Sequence, residues 1–189
     1  MHVRKDAVEI LKDDHRYVKG LFDAFAKLCA CEASESEKSA KAGSICLALN
    51  IHAQVEAEIF YPAVRAALGD SGMLDYADVE HSSAKDLISR ISAMQPSAPN
   101  YDARVAVLAQ TVDHHVKGEE EIMFAAVRRS RIDLIALGDL IEARMSRLLV
   151  DYRAIPGGAL RYDIVGDPIG RRALLRSSSG EMMRARVPA

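Results

Sequence analysis

The spacing of apolar residues constrains the fold more than any other feature of this sequence. Through five long stretches, apolar side chains recur every three or four positions, which is the period of a helix that buries one face. The pattern predicts helices over about 6–31, 37–68, 73–94, 101–129 and 131–153. Because the breaks between them are short, neighbouring helices should pack antiparallel. The sequence therefore predicts an all-α protein, an up-and-down antiparallel four-helix bundle with an additional fifth helix.

A few residues mark where these helices begin, bend and end. Asn100 is placed to cap the fourth helix, after a QPSAPN segment whose two prolines cannot continue a helix. GDSG at 69–72 carries the residues that end the second helix. Pro62 lies inside that second helix, where it removes one hydrogen bond, so we expect a kink there.

The chain divides into a bundle and a tail. Residues 1–155 hold the periodic stretches, whereas 156–189 hold three of the six prolines and five of the eleven glycines. This last stretch also carries six arginines against three acidic residues and shows no helical stripe. We therefore expect one helical domain over 1–155 and an irregular or partly disordered C-terminal extension over 156–189.

Composition excludes several classes of protein. Of the 189 residues, 49 % are hydrophobic and 28 % charged, which excludes wholesale disorder. The net charge of −2 is unlike that of a dedicated nucleic-acid binder, and no apolar run suits a membrane span. Three cysteines make no disulfide framework, and the charged N-terminus is no secretory signal, so we expect a cytoplasmic protein. The roles of Cys29, Cys31 and Cys46 stay open.

Histidines occupy the apolar stripes of four different helices. In each case the residues three, four or seven positions away are mostly apolar, and they include Ile59 after His52 and Ile122 after His115. All four imidazoles should therefore point into the bundle core. These histidines are His15, His52, His81 and His115.

Two of the four histidines have a carboxylate one helical turn later. Glu56 follows His52, and Glu119 follows His115, by four residues each. Residues four apart share a helix face, so both glutamates should also be buried. A buried carboxylate without a partner costs several kcal/mol, as an order of magnitude. Two such glutamates beside four histidines indicate a shared cation.

The arrangement repeats along the chain. HAQVEAEIFYPAV (52–64) and HVKGEEEIMFAAV (115–127) share six residue identities in register, and DDH ending at His15 parallels VEH ending at His81. The chain thus reads as two helical hairpins with the same ligand plan. Closing them into one bundle brings two nitrogen and oxygen half-sites together, a plan for two metals bridged by two carboxylates. Spacing alone allows iron, manganese or zinc.

These motifs resemble the hemerythrin family, in its bacterial hemerythrin-like (HHE cation-binding) branch. LKDDHRYVKGLFDAF, IHAQVEAEIFYP, DVEHSSAKDLI and HHVKGEEEIMF carry the resemblance, over about residues 6–129. It implies a four-helix bundle around two iron ions joined by an oxo or hydroxo bridge, with Glu56 and Glu119 bridging as well. The metal ligands it implies are His15, His52, Glu56, His81, His115 and Glu119.

The sequence departs from the oxygen-carrying members of that family. Those members have a second histidine one turn from the first on the third helix, where this chain has Ala77 and Lys85. Their fourth-helix acid is an aspartate five residues after its histidine, whereas Glu119 follows His115 by four. With one histidine fewer, the metals keep open positions. This difference weakens the case for simple reversible oxygen carriage.

Three functions stay open at this point. The first is a di-iron protein that binds O₂ or a related small molecule for sensing, storage or iron buffering. The second is a di-iron enzyme acting on peroxide or nitric oxide. The third is a metal-free helical interaction module. The sequence indicates no nucleic-acid or membrane partner and leaves the oligomeric state open.

Other polar residues near the ligands have more ordinary interpretations. Glu80 is a reserve ligand, although we expect it to hold an N–H of another residue. Tyr17 and Tyr61 lie near ligands and could contact a bound oxygen species or simply pack. Four further groups lie off the ligand face and should be solvated or support the ligands: Glu58, His114, Glu120 and Glu121.

Overall fold

The computed structural model describes residues 4–69 and 72–154, and within them it is helical throughout apart from short connections. The predicted antiparallel helical bundle is confirmed. The elements, in chain order, are α1 (Ala7–Ala30), α2 (Glu35–Val55), a π-helical turn π1 (Glu56–Phe60), α3 (Tyr61–Leu68), α4 (Gly72–Ala93), α5 (Tyr101–Gly118), a second π-helical turn π2 (Glu119–Met123), α6 (Phe124–Arg128) and α7 (Leu134–Ala154).

The four bundle helices are α1, the continuous helix of α2, π1 and α3, then α4, and the continuous helix of α5, π2 and α6. The helix α1 packs against α2 and α5, and α4 packs against α5 and α2. The predicted fifth helix, α7, packs against α1, α2 and π1. It therefore lies against the side of the bundle formed by α1 and the second bundle helix.

Local signals define the helix ends. Asp6 accepts a hydrogen bond from the Glu9 N–H at 2.9 Å, and the Glu9 carboxylate accepts from the Asp6 N–H at 3.0 Å. Ser34 and Glu37 form the same reciprocal cap at the start of α2. Each pair satisfies two N–H groups that the first turn of a helix leaves without partners. Gly69 follows α3 with φ of +79°, a conformation that suits glycine, in agreement with the predicted helix end.

The expectation that Asn100 caps the fourth helix through its side chain is wrong. Asn100 does precede α5, but its φ is +67° and its side chain makes no capping hydrogen bond. The Tyr101 N–H donates to the Ala98 carbonyl, which draws the preceding loop into a tight turn. Asparagine tolerates the left-handed conformation that this turn requires.

The fifth helix is also displaced from its predicted start. The Asp133 carboxylate accepts from the Ala136 N–H at 2.9 Å, so α7 begins at Leu134 rather than near 131. The apolar spacing over 131–153 predicts that Ile135, Leu140, Ile141, Met145 and Leu148 face inward, but Ile135 and Leu140 are 38 % and 59 % exposed. The buried face is formed by Leu137 together with Ile141, Met145 and Leu148.

Two π-helical turns interrupt the helices that carry the glutamates, and the apolar spacing predicted neither of them. The Tyr61 N–H donates to the Glu56 carbonyl, and the Phe124 N–H donates to the Glu119 carbonyl, five residues back in each case. Each π turn takes up one extra residue. Pro62 lies two residues after the end of the first turn, but no proline lies near the second, so proline is not the common cause.

The extra residue changes which side chains face the core. Phe60 is fully buried and Met123 is 3 % exposed, whereas Ile122, predicted to face inward, is 59 % exposed. Ile59 is only partly buried. The side chain that faces the core is thus the one eight residues after each histidine, Phe60 or Met123, and not the one seven residues after it.

The core consists of two apolar clusters. One lies towards α7 and includes Leu11, Val55 and Phe124, and the other lies towards the α4–α5 connection and includes Val18, Leu49 and Leu108. On α1, His15 lies between residues of the two clusters. The predicted ligands therefore form a polar layer inside an otherwise apolar bundle.

Two further expectations concern the C-terminal extension and membrane-spanning helices. The extension over 156–189 lies outside the described residues, as do Asp70 and Ser71 of the GDSG segment. Among the described residues, no helix combines the length and apolar character needed to span a bilayer.

Candidate metal centre

All six side chains predicted as metal ligands are buried and converge at one level of the bundle. Glu56 is fully buried, Glu119 is 2 % exposed, and the four histidines are between 5 % and 8 % exposed. Their donor atoms form two overlapping groups, within each of which all atoms lie within 4.8 Å of one another. One group contains His15, His52, Glu56 and Glu119, and the other contains Glu56, His81 and His115.

Glu56 joins the two groups. Its Oε1 lies 3.2 Å from His52 Nε2, and its Oε2 lies 3.3 Å from His81 Nε2. His52 belongs to the first hairpin and His81 to the second. The two oxygens of one carboxylate therefore face histidines of different hairpins.

Glu119 occupies the corresponding position in the second hairpin. Its Oε2 lies 3.4 Å from His15 Nε2 and 3.5 Å from His115 Nε2. Both glutamates thus lie between the two hairpins, where a bridging carboxylate would have to be.

Several donor atoms at the centre have no hydrogen-bond partner. They are His15 Nε2, His52 Nε2, Glu56 Oε1 and Glu119 Oε2, all buried. Buried polar atoms in proteins are hydrogen-bonded in the large majority of cases. Imidazole nitrogens and carboxylate oxygens are ligands for iron, manganese and zinc, so a cation among these atoms would satisfy them. The residues present fit a metal.

Three of the four histidines have their Nδ1 atom, the ring nitrogen that points away from the centre, hydrogen-bonded to a carboxylate. His52 Nδ1 donates to Asp14, His115 Nδ1 donates to Glu80, and His15 Nδ1 donates to Glu120, each at 2.9 Å. A proton on Nδ1 leaves the Nε2 lone pair facing the centre. Carboxylates of this kind orient metal-binding histidines and make them more basic.

These contacts show which acidic residues support the histidines. Glu80 holds the N–H of another residue, as expected, and Glu120 supports a histidine although it lies off the ligand face. Asp14 was missed. Its signal was present, because an acidic residue directly precedes both His15 and His81 in the repeated DDH and VEH segments.

Tyr61 places a hydroxyl group at the centre. Its Oη lies 3.1 Å from Glu119 Oε1, 3.3 Å from His81 Nε2 and 3.4 Å from Glu56 Oε2. Tyr61, one of the two tyrosines considered from the sequence, therefore contacts three predicted ligands. Tyr17 packs against the apolar cluster towards the α4–α5 connection.

The charges of the centre stabilise one another. Burial alone would raise the pKa of Glu56, but His52 and His81 outweigh burial and hold this pKa well below its usual range. Burial would lower the pKa of His52, but Glu56 and Asp14 raise it well above its usual value. Burial and the charges of Glu56 and Glu119 raise the pKa of Tyr61, which keeps its proton. A metal bound at His52 would therefore displace a proton.

The remaining candidates lie outside the centre. His114 is largely exposed and approaches Glu80 Oε1 at 3.5 Å. Glu58 pairs with Arg144 at 2.6 Å, and its hydrogen bond to Arg144 lowers its pKa to about 2. Glu121 is exposed. All three cysteines are free thiols.

A small cavity opens onto the four histidines. Its volume is about 30 Å³, which is room for one or two water-sized molecules. Apart from the histidines, its walls are mostly apolar and include Val18, Leu49, Ala84, Ile88 and Val112. A small uncharged molecule could thus reach the centre without displacing a ligand.

Known proteins share part of this sequence. Part of the chain is 34 % identical to a DNA nickase of Nostoc over 123 residues, 65 % of this chain, and spans 33 % of that longer protein. It is 26 % identical to an uncharacterised protein of Mycobacterium tuberculosis, over 76 % of this chain and 87 % of that one.

A crystal structure of a hemerythrin HHE cation-binding domain-containing protein from Mycobacterium kansasii has a similar fold. Its TM-score is 0.67 at 26 % identity, over 83 % of this chain and 98 % of that chain. The family model described as the hemerythrin HHE cation-binding domain matches residues 6–127, which include all six predicted ligands. This chain belongs to the hemerythrin HHE cation-binding domain family.

Proposed function

We propose that the protein binds two iron ions between its two helical hairpins, with Glu56 and Glu119 bridging them. The observation that carries this proposal is the set of four buried donor atoms without hydrogen-bond partners, contributed by two histidines and both glutamates. Without a cation these atoms lose hydration and make no hydrogen bond in return.

The grouping of the donors favours two ions over one. Each group contains two histidines and a carboxylate, and Glu56 offers one oxygen to each. The first half-site is formed by His15 and His52, and the second half-site by His81 and His115. Iron is proposed because of the family, and manganese and zinc remain chemically suited to the same donors.

We propose that the centre binds O₂ or a related small molecule, for sensing, storage or iron buffering. Bound iron would supply the redox chemistry and the open coordination positions. The protein supplies the apolar walls, such as Val112 and Ile88, that keep bulk water from the cavity. Tyr61 holds its proton beside His81 and both glutamates.

A second candidate is an enzyme that acts on peroxide or nitric oxide. Tyr61 is the observation that favours it, because reduction of either molecule requires protons at the centre. The Tyr61 hydroxyl donates to Glu119 and remains protonated throughout the physiological pH range. It could therefore donate a hydrogen bond to a molecule bound beside His81 and the two glutamates.

Metal quantification together with an optical spectrum of aerobically purified protein tests the first proposal. We expect about two irons per chain and absorption from an oxygen-bridged iron pair. Protein that binds no metal when supplied with iron, manganese or zinc would contradict it and favour the interaction module. Turnover of peroxide or nitric oxide by the loaded protein would establish the enzyme, and binding without turnover would favour the sensor or store.

The name of the Nostoc relative suggests one further assay. Incubating the metal-loaded protein with supercoiled plasmid tests for nicking. We expect none, because the net charge of −2 supplies no excess of positive charge for the phosphate backbone.

A further inference from the structure

The two halves of the centre are related by the sequence repeat but are not equivalent. In the repeat, Asp14 corresponds to Glu80, and each holds a histidine of its own hairpin by Nδ1. This relationship is symmetric. The symmetry fails one residue after each bridging glutamate, where Glu120 in the second hairpin corresponds to Ala57 in the first.

Glu120 supports the first half-site across the hairpin interface. Its Oε1 accepts from His15 Nδ1 at 2.9 Å, while its Oε2 lies 3.7 Å from Lys12 Nζ, which holds the carboxylate in place. The side chain of Ala57 cannot do the same for His81. Within the described part of the chain, Glu56 is the one carboxylate within 4.0 Å of a ring nitrogen of His81, and it approaches Nε2.

The first half-site therefore has the stronger support. Both of its histidines have a carboxylate on Nδ1, whereas in the second half-site, among the residues that the structure describes, only His115 has one. The Phe124 ring also stacks on the His15 ring, at 5.8 Å between centroids and 5° between planes. A fixed, more basic imidazole binds a metal more tightly, and the loss of such a carboxylate costs about 10–100-fold in affinity.

We propose that Glu120 is a positioning residue that makes the half-site of His15 and His52 the tighter one, so that the two metals bind in a defined order. This inference rests on the proposed two-metal function. When metal is scarce, the protein carries one ion at this half-site. The half-site of His81 and His115, beside Tyr61, is then the one that fills last and exchanges first.

Titration of metal-free protein with Co²⁺ under anaerobic conditions tests the order, with visible absorption and calorimetry as readouts. The wild-type protein should bind two ions in two steps separated by about 10–100-fold in affinity. Glu120→Ala should weaken the first step, so that the affinities of the two steps become similar. Glu120→Gln, which keeps an acceptor for Nδ1 but removes the charge, should fall between them.

Three further variants separate this role from a general loss of structure. Glu121→Ala, next along the chain and exposed, should leave both steps unchanged. Glu80→Ala should weaken the second step and increase the difference in affinity between the two steps. Ala57→Glu places a carboxylate at the position equivalent to Glu120 and should strengthen the second step. Far-ultraviolet circular dichroism of each metal-free variant checks that the helices persist.

Two outcomes would overturn the order: two ions binding with equal affinity in the wild-type protein, or Glu120→Ala leaving both steps unchanged. These outcomes differ from failure of the proposed function, in which the wild-type protein binds no Co²⁺ at all.

Discussion

Tyr61 and Phe124 occupy the same position in the two hairpins, five residues after Glu56 and Glu119, and the N–H of each closes a π turn onto its glutamate. Their side chains do different things. The Tyr61 hydroxyl lies among ligand atoms of both hairpins, whereas the Phe124 ring stacks on His15. The centre therefore has a phenolic hydroxyl group on one side only.

Tyr61→Phe places a phenylalanine five residues after the glutamate in both hairpins. We expect the metal content to be retained, because the hydroxyl is not among the proposed ligands. Loss of its hydrogen bonds should lower the free energy of unfolding by about 1 kcal/mol. The rate of reaction with peroxide or nitric oxide, measured per bound iron, should fall. Tyr101→Phe, in the other apolar cluster, is the control and should leave that rate unchanged.

Replacing either of the two glutamates that we propose as bridges by glutamine tests the ligand assignment. Glu56→Gln and Glu119→Gln keep the volume but remove a charge and a strong ligand, so each should lower bound metal by more than the roughly 10–100-fold effect of losing a supporting carboxylate. Metal analysis after purification provides the measurement. Glu58→Gln and Glu121→Gln are matched controls two residues further on, and their metal content should match that of the wild-type protein. Essential roles for Glu58 or Glu121 would refute the assignment.

Removing the metal should loosen the bundle. Four histidines and two carboxylates then occupy a layer between two apolar clusters, with several donor atoms unpaired. A ligand that binds only the folded state raises its stability, so the chelated protein should melt at a lower temperature than the loaded one. Calorimetry of both forms measures the difference. Equal melting temperatures would contradict a structural contribution from the metal.

Gly138 is where α7 meets the start of α1. A Cβ at this position would lie 2.7 Å from the Lys5 carbonyl oxygen and 3.0 Å from the Ala7 nitrogen, both backbone atoms. Gly138→Ala should therefore destabilise the fold by about 1–3 kcal/mol in chemical denaturation.

Gly20 is the matched control on the exposed face of α1, where a Cβ would meet nothing within 4 Å. Gly20→Ala should stabilise the protein by about 0.5–1 kcal/mol, since alanine restricts the unfolded chain and suits a helix. A loss of stability on Gly20→Ala, equal to that of Gly138→Ala, would show that close packing at α7 is not the cause.

The C-terminal extension should be dispensable for metal binding, because every proposed ligand lies between His15 and Glu119. A chain ending at Ile155 should contain as much metal as the full chain, by elemental analysis of both. Loss of metal from the shorter chain would show that residues 156–189 contribute to the centre.

The helices and the ligand layer were predictable from the sequence because they depend on long, regular patterns. A histidine such as His52 shares its stripe with several apolar residues, so small errors in helix bounds do not move it off the inner face. The exposure of Leu140 shows the limit of this reasoning, because in a short apolar run several faces fit equally well.

The π turns were not predictable in the same way. Ile122 and Met123 are both apolar, so the sequence fits an α-helical register and a register with one extra residue equally well. The acidic residue before His15 was a signal for a supporting role, but the partners of Asp14 and Glu120 could not be predicted, for another reason. Each joins side chains on different helices, and their partners depend on how the hairpins are aligned.

The π turns also bear on the design of artificial metal proteins. A histidine and a glutamate four residues apart are often taken as a transferable ligand pair for a regular helical bundle. Here the glutamate of each pair begins a turn that is one residue longer than an α-helical turn, and Tyr61 and Phe124 reach the centre only because of it. A scaffold of ideal helices that copied the pair alone would present different neighbours to the same two ligands. A design should therefore transfer the histidine–glutamate pair together with the π turn that begins at the glutamate.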